Sequence, residues 1–181
     1  MKEMLREITE RDYDIILDLR YASTHNVFGK SFYQEAKCLL HKDAAEKLKI
    51  AVELAKLQNL RIKIFDCFRP LAIQKEFISL MPNNDFISDP EAGSIPHCRG
   101  VAIDLTLIDQ AGDELDMGSD FDEFSEISFH GYTKINAAAQ KNRYILMGIM
   151  LSAGFDFFRN EWWHYQLFNA REYEVFINKN L

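Results

Sequence analysis

The stretch Ser94-Ile-Pro-His-Cys-Arg-Gly-Val-Ala-Ile-Asp-Leu-Thr-Leu107 constrains this chain more than any other. Val101, Ile103, Leu105 and Leu107 alternate with Ala102, Asp104 and Thr106, the period-two pattern of a strand with one apolar face. Asp104 therefore stands in mid-strand among apolar neighbours, where a lone carboxylate is costly to desolvate unless a positive group answers it. His97 lies seven residues upstream, with Pro96 and Gly100 signalling a turn that can fold it back toward Asp104. A second cluster, Glu161-Trp-Trp-His164, lies near the other end. Two histidines, a carboxylate and a spare glutamate are the parts of a catalytic zinc site: three ligands, an open position for water, and a base.

Glu161 and His164 are three residues apart, and odd separation on one regular strand sends side chains to opposite faces. Glu161 is thus expected in a turn or bulge, with His164 on the strand. That division suits a base that reaches water without binding the metal. Taken singly, each residue has a plainer reading: a core histidine, or an aspartate in a salt bridge.

The 48% apolar content and fourteen Phe of this 181-residue chain suffice for one domain with a sizeable core. A net charge of −7 argues against nucleic acid or an anionic membrane as partner, since both call for a basic surface. The first eleven residues are too charged for a signal peptide, and the longest largely apolar run, Tyr144 to Phe155, is too short to span a bilayer. The chain reads as soluble and cytoplasmic. Cys38, Cys67 and Cys98 are odd in number and contain no Cys-x-x-Cys, so all three read as reduced thiols, with Cys98 a packed one rather than a ligand.

In chain order, Tyr13 to Ala22 has strand-like content and leads into a polar loop holding a solvated His25. From Asp43, a candidate cap, Ala44, Leu48, Ala51, Val52 and Ala55 recur at helical spacing, while His41 before it reads as surface or capping. Arg61 to Asp66 predicts a strand, and Pro70 places Arg69 at a strand-to-helix junction. Ile73, Phe77, Ile78 and Met81 form a helical stripe assigned to the core. Pro82 to Pro96 reads as loop, Ile108 to Leu115 as a hairpin turn, and Met117 to Phe124 as irregular. Asn136 opens a long helix that Gly154 stops, and Phe155 to Phe158 and Trp162 to Leu167 are the last strands. Strands and helices without regular βαβ alternation predict an α+β fold, one domain over 1–181 with a central, mainly antiparallel sheet flanked by helices.

His97-x-x-Gly100-x-Ala102-x-Asp104 followed by Glu161-x-Trp163-His164 closely resembles the D-alanyl-D-alanine dipeptidases of the VanX-like zinc peptidase family. That group includes D,D- and L,D-carboxypeptidases, and the hedgehog signalling domain has a similar fold. Asp18-Leu-Arg-Tyr-Ala22, Asn26, Gly29-Lys30, Asp66-Cys-Phe-Arg-Pro70, Met117-Gly-Ser-Asp-Phe-Asp122 and Gly154-Phe155 also look like family segments, in the family's order. The resemblance implies that His97, Asp104 and His164 bind one zinc, that Glu161 is the catalytic base, and that Arg69 faces the tetrahedral intermediate. It implies that Tyr21 and Asp122 line the pocket, with Asp122 as partner of a substrate's free amine. Where the family has serines before its first histidine, this chain has Ile95 and Pro96, with Ser94 one position further back. The pocket thereby loses two hydroxyls. His130 takes no role from the resemblance.

The function so implied is hydrolysis of D-Ala-D-Ala, a small dipeptide, by metal-activated water. A carboxypeptidase acting on longer cell-wall peptides and a non-catalytic zinc-stabilised binding module are the alternatives. Retention of both Glu161 and Arg69 speaks against the last.

Overall fold

Asp104 lies on the middle strand of a five-stranded sheet in the computed structural model, which describes residues 4–91 and 93–177. The strands are β1 (Leu5–Ile8), β2 (Ile16–Leu17), β3 (Cys38–His41), β4 (Arg61–Asp66), β5 (Ala102–Ile108), β6 (Phe155–Phe157) and β7 (His164–Leu167). The helices are α1 (Glu10–Tyr13), α2 (Lys42–Leu57), α3 (Leu71–Leu80) and α4 (Ala137–Ala153). The main sheet runs β2-β4-β5-β7-β6, with β2 parallel to β4 and every other neighbour antiparallel. The fold is thus α+β around a mainly antiparallel sheet, as the order of elements predicts.

The helical repeat read from Ala44 onward is α2, and its buried Leu48, Val52 and Ala55 join Leu146, Ile149 and Met150 of α4 in one cluster. Ile103, Leu105 and Leu107 of β5 belong to the same cluster, so the apolar side of the central strand is met by two helices. Truncating a residue such as Leu146 to Ala in such a core costs about 2–5 kcal/mol. The opposite side of β5 is also closed to water, because Ala102, Asp104 and Thr106 are buried too. The alternation in the sequence therefore separates helix-facing from site-facing residues rather than core from solvent.

The later of the two long helices, α4, begins and ends where the sequence signals. Asn136 accepts from the Ala139 amide at 2.8 Å to start α4, and Gly154 takes the left-handed conformation (φ +97°) that stops it. At α2 the capping acceptor is the ring of His41, which takes the Asp43 amide at 3.3 Å, and Asp43 falls inside the first turn. His41 is buried, not on the surface.

Three local expectations change, and one strand has no counterpart among them. The segment Tyr13 to Ala22 holds a strand only at Ile16–Leu17, preceded by α1 and followed by a 3-10 turn at Arg20–Ala22. The charged N-terminus forms β1, which pairs antiparallel with β3 in a separate two-stranded sheet. On α3 the fully buried positions are Phe77 and Gln74, while Ile73, Ile78 and Met81 are only partly covered. Finally, Cys38 and Cys67 are joined as a disulfide, with Cα atoms 5.7 Å apart, and are not free thiols. The chain after β4 runs beside β3, where Phe68 donates its amide to Leu39, and that proximity of residues 29 apart has no signature in the sequence. Cys98 is free and buried, and burial pushes its thiol up to about 11, the condition of an inert packed residue.

Candidate metal centre and substrate cavity

The turn before β5 is built around Gly100. Its φ of +66° is left-handed, and a Cβ there would stand 2.6 Å from Leu5 Cδ2 and 3.1 Å from the His41 amide nitrogen. Only glycine permits that approach. The His41 amide donates to the Gly100 carbonyl at 2.7 Å, fixing the 3-10 turn Pro96–Arg99 against the small sheet. His97 is thereby folded back over β5, with its Nε2 3.3 Å from Asp104 Oδ2.

His164 arrives from the neighbouring strand. Asp104 and His164 are direct partners in the β5–β7 register, and His164 Nδ1 lies 3.0 Å from Asp104 Oδ1. One ligand atom from each of His97, Asp104 and His164 falls within 4.8 Å of the others, and all three residues are buried. The remaining ring nitrogens are already engaged. His97 Nδ1 donates to the Cys67 carbonyl at 2.6 Å, and His164 Nε2 donates to Gln166 Oε1 at 3.1 Å. With those protons placed, His97 Nε2 and His164 Nδ1 turn lone pairs toward each other at 3.2 Å and toward the Asp104 carboxylate. Unprotonated nitrogens and a carboxylate converging on one point suit a divalent cation, and outer hydrogen bonds of this kind fix ligand tautomers in metal sites.

Glu161 occupies the turn ahead of β7, which begins only at His164. It is buried, with Oε2 3.7 Å from His164 Nδ1, and stands beside the three-residue cluster rather than in it. Burial pushes its carboxyl up to about 8, helped by the Asp104 charge and opposed by His164 and Arg69.

Arg69 stands at the junction of β4 and α3 that Pro70 predicts. Asp66 accepts from its Nε at 3.1 Å and from its Nη2 at 2.7 Å, and Tyr33 donates to the other Asp66 oxygen at 2.7 Å. Gln74 Oε1 accepts from Arg69 Nη1 at 2.9 Å. The guanidinium packs on the faces of Tyr21 and Phe77, and its Nη2 lies 3.8 Å from Asp104 Oδ2. Burial opposes the charge, but Asp66 more than offsets it and Arg69 stays protonated.

Tyr21 donates to both oxygens of Asp122 at 3.0 and 2.9 Å. Asp122 is buried in a left-handed conformation (φ +61°), which costs a non-glycine residue on the order of 1–2 kcal/mol. Burial pushes its carboxyl well above the usual carboxylate range. An ammonium brought alongside would return it to the ionised form. Arg143, wholly buried on α4, donates to the carbonyls of Met117, Ile127 and Phe129 and so holds the loop that carries Asp122.

Tyr21, Arg69, Asp122, His97, Asp104, Glu161 and His164 line one cavity of about 260 Å³. Ile95 and Pro96 line it too, and Ile95 is held at φ +41°, an unusual conformation for a β-branched residue. The sequence reading did not single out Asp66, Tyr33, Gln74 or Gln166. Tyr33 reaches Asp66 from 33 residues away, while Asp66 and Gln74 lie three and five residues from Arg69 and Gln166 lies two from His164, near neighbours whose polar side chains match no apolar period. His25 is exposed in its loop. His130 is buried against Phe157 and Tyr165 and is not one of the three clustered residues.

Comparison with known proteins gives this geometry a lineage. The family model for D-Ala-D-Ala dipeptidases, peptidase family M15, matches residues 3–180. This chain belongs to that family. It is 40% identical over 166 residues to the D-alanyl-D-alanine dipeptidase of Escherichia coli K12, covering 92% of this chain and 86% of that protein. It is 33% identical over 170 residues to the enzyme of the same name from Enterococcus faecium, covering 83% and 84%. The D-alanyl-D-alanine dipeptidase of Enterococcus faecalis V583 is 29% identical over 181 residues, covering 89% and 90%. The M15 chain described here is therefore a peptidase, and its buried His-Asp-His cluster is a candidate metal centre in keeping with that membership. Among the described residues, no helix is long and apolar enough to cross a membrane.

Proposed function

We propose that this protein is a zinc-dependent dipeptidase that hydrolyses D-Ala-D-Ala, with residues 1–181 forming one peptidase domain in the hedgehog/D-Ala-D-Ala peptidase-like arrangement. The observation that carries the reading is the convergence of His97, Asp104 and His164 on one buried point, with Glu161 and Arg69 beside it in a small cavity. Two imidazoles and a carboxylate leave a tetrahedral zinc one open position, the pattern of catalytic rather than structural sites. Zinc held there would supply Lewis acidity, acidifying a water and polarising the scissile carbonyl.

The chain's own residues supply the rest. Glu161, beside the cluster with Oε2 3.7 Å from His164 Nδ1, takes the proton from the attacking water and returns it to the leaving amine. Arg69, fixed by Asp66 and Gln74, offers preorganised donors to the oxyanion as charge develops. Asp122, oriented by Tyr21, pairs with the free ammonium of the dipeptide. Arg69, Asp122, Glu161 and the three cluster residues are themselves buried, so each of these interactions counts for more than it would in solvent.

The relatives named as D-alanyl-D-alanine dipeptidases support this substrate. The deciding experiment offers the zinc-loaded protein D-Ala-D-Ala, L-Ala-D-Ala and an N-acetylated tripeptide ending in D-Ala-D-Ala. Preferential cleavage of the free D,D-dipeptide is expected. Equal cleavage of the acetylated tripeptide would replace this reading with a carboxypeptidase.

A further inference from the structure

Gln74 is a polar side chain on α3 that is only 2% exposed, yet it borders the cavity. Both ends of its amide are used. Its Oε1 accepts from Arg69 Nη1 at 2.9 Å, and its Nε2 donates to the Ser88 carbonyl at 2.7 Å. The chemistry of the partners fixes the amide's orientation: a guanidinium only donates and a carbonyl only accepts. Ser88 belongs to the irregular chain after α3, where Phe86, Ile87 and Ser88 line the cavity wall. Among the described residues no helix or strand lies between Met81 and Ile95, so side-chain anchors of this kind locate the wall.

We infer that Gln74 is a positioning residue with two separable tasks, one for each end of its amide. The acceptor end aims Arg69 at the reacting carbonyl, and the donor end holds the Phe86–Ser88 wall against the bound dipeptide. This rests on the reading of Arg69 given above. Asp66 already fixes the Nε–Nη2 edge of the guanidinium. Gln74 fixes Nη1, and with both edges held the group has no rotation left about its last torsion. Losing the acceptor frees that rotation and lowers turnover. Losing the donor leaves Arg69 aimed but loosens the wall, which weakens substrate binding.

Two variants separate the tasks. Gln74→Glu keeps an oxygen for Arg69 but has no donor for Ser88, whereas Gln74→Met keeps the length and removes both. With D-Ala-D-Ala as substrate, zinc content and Tm recorded for each, Gln74→Glu should hold kcat within about threefold and raise KM on the order of tenfold. Gln74→Met should lower kcat on the order of tenfold or more and raise KM as well, the effect expected when buried hydrogen-bond partners are left unmet. Zinc content should match the parent in both. If kcat falls equally in the two variants, or neither constant moves more than twofold in either, the inference is wrong. Arg69→Ala runs alongside as the control on the underlying reading. If its kcat is unchanged, it is the role of Arg69 that fails, whatever Gln74 does.

Discussion

Asp104 on β5 and His164 on β7 face each other directly across the sheet, with 3.0 Å between Oδ1 and Nδ1. Two of the three candidate metal ligands are therefore placed by strand register. A slip of one residue would send either side chain to the helix-covered side. The third, His97, is placed by the Gly100 turn, so a rigid sheet and a glycine-dependent turn jointly define the centre.

With these three side chains as the proposed ligand set, removing any one should abolish tight zinc binding. His97→Ala, Asp104→Ala and His164→Ala should each take up well under one zinc per chain when titrated against a competing chelator. A variant that binds zinc as tightly as the parent would remove its residue from the set.

Glu161 stands outside that set, and its substitution should separate binding from chemistry. Glu161→Ala is expected to retain zinc while turnover falls at least ~10²-fold, the lower range for loss of a general base. Loss of zinc in this variant would make Glu161 a ligand.

Asp122 should matter in proportion to the charge it meets. An ion pair in a closed site is worth a few kcal/mol when one partner is removed. Asp122→Ala should therefore depress cleavage of free D-Ala-D-Ala by on the order of 10²-fold, and affect the N-acetylated dipeptide far less. Equal losses on both substrates would assign Asp122 to holding the loop rather than the amine.

His130 gives the fold a pH dependence of its own. Burial first, then the Arg143 charge, push its imidazole from 6.5 down to about 4. The unfolded chain thus binds this proton more readily than the folded one. Stability from this group is complete above pH 6.5 and is lost as pH falls toward 4, by about 3 kcal/mol in all. Urea unfolding at pH 7.5 and 4.5 should show a larger acid loss for the parent than for His130→Phe. Identical losses would mean that His130 does not titrate with folding.

What the sequence made legible was local. The period-two run through Asp104, the helical repeat from Ala44, the Asn136 and Gly154 boundaries and the Pro70 junction each depend on neighbours a few residues apart, and the structure has them in place. The placement of Glu161 in a turn and His164 on a strand follows from parity once both are read as serving one site. What stayed hidden depends on distant pairings. The Cys38–Cys67 disulfide, the β1–β3 pair and the Tyr33–Asp66 hydrogen bond bring together residues whose spacing carries no pattern. Gln74 sits on the helix between Ile73 and Phe77, where apolar periodicity draws the eye to the hydrophobic positions and past the buried amide.

The most direct test of the central claim is D-alanine release from D-Ala-D-Ala by protein stripped with a chelator and then titrated with zinc. Zinc-free protein should be inactive, and activity should return in step with added metal and level off at about one equivalent per chain. Undiminished release by the zinc-free protein, or none after zinc is restored, would contradict the account.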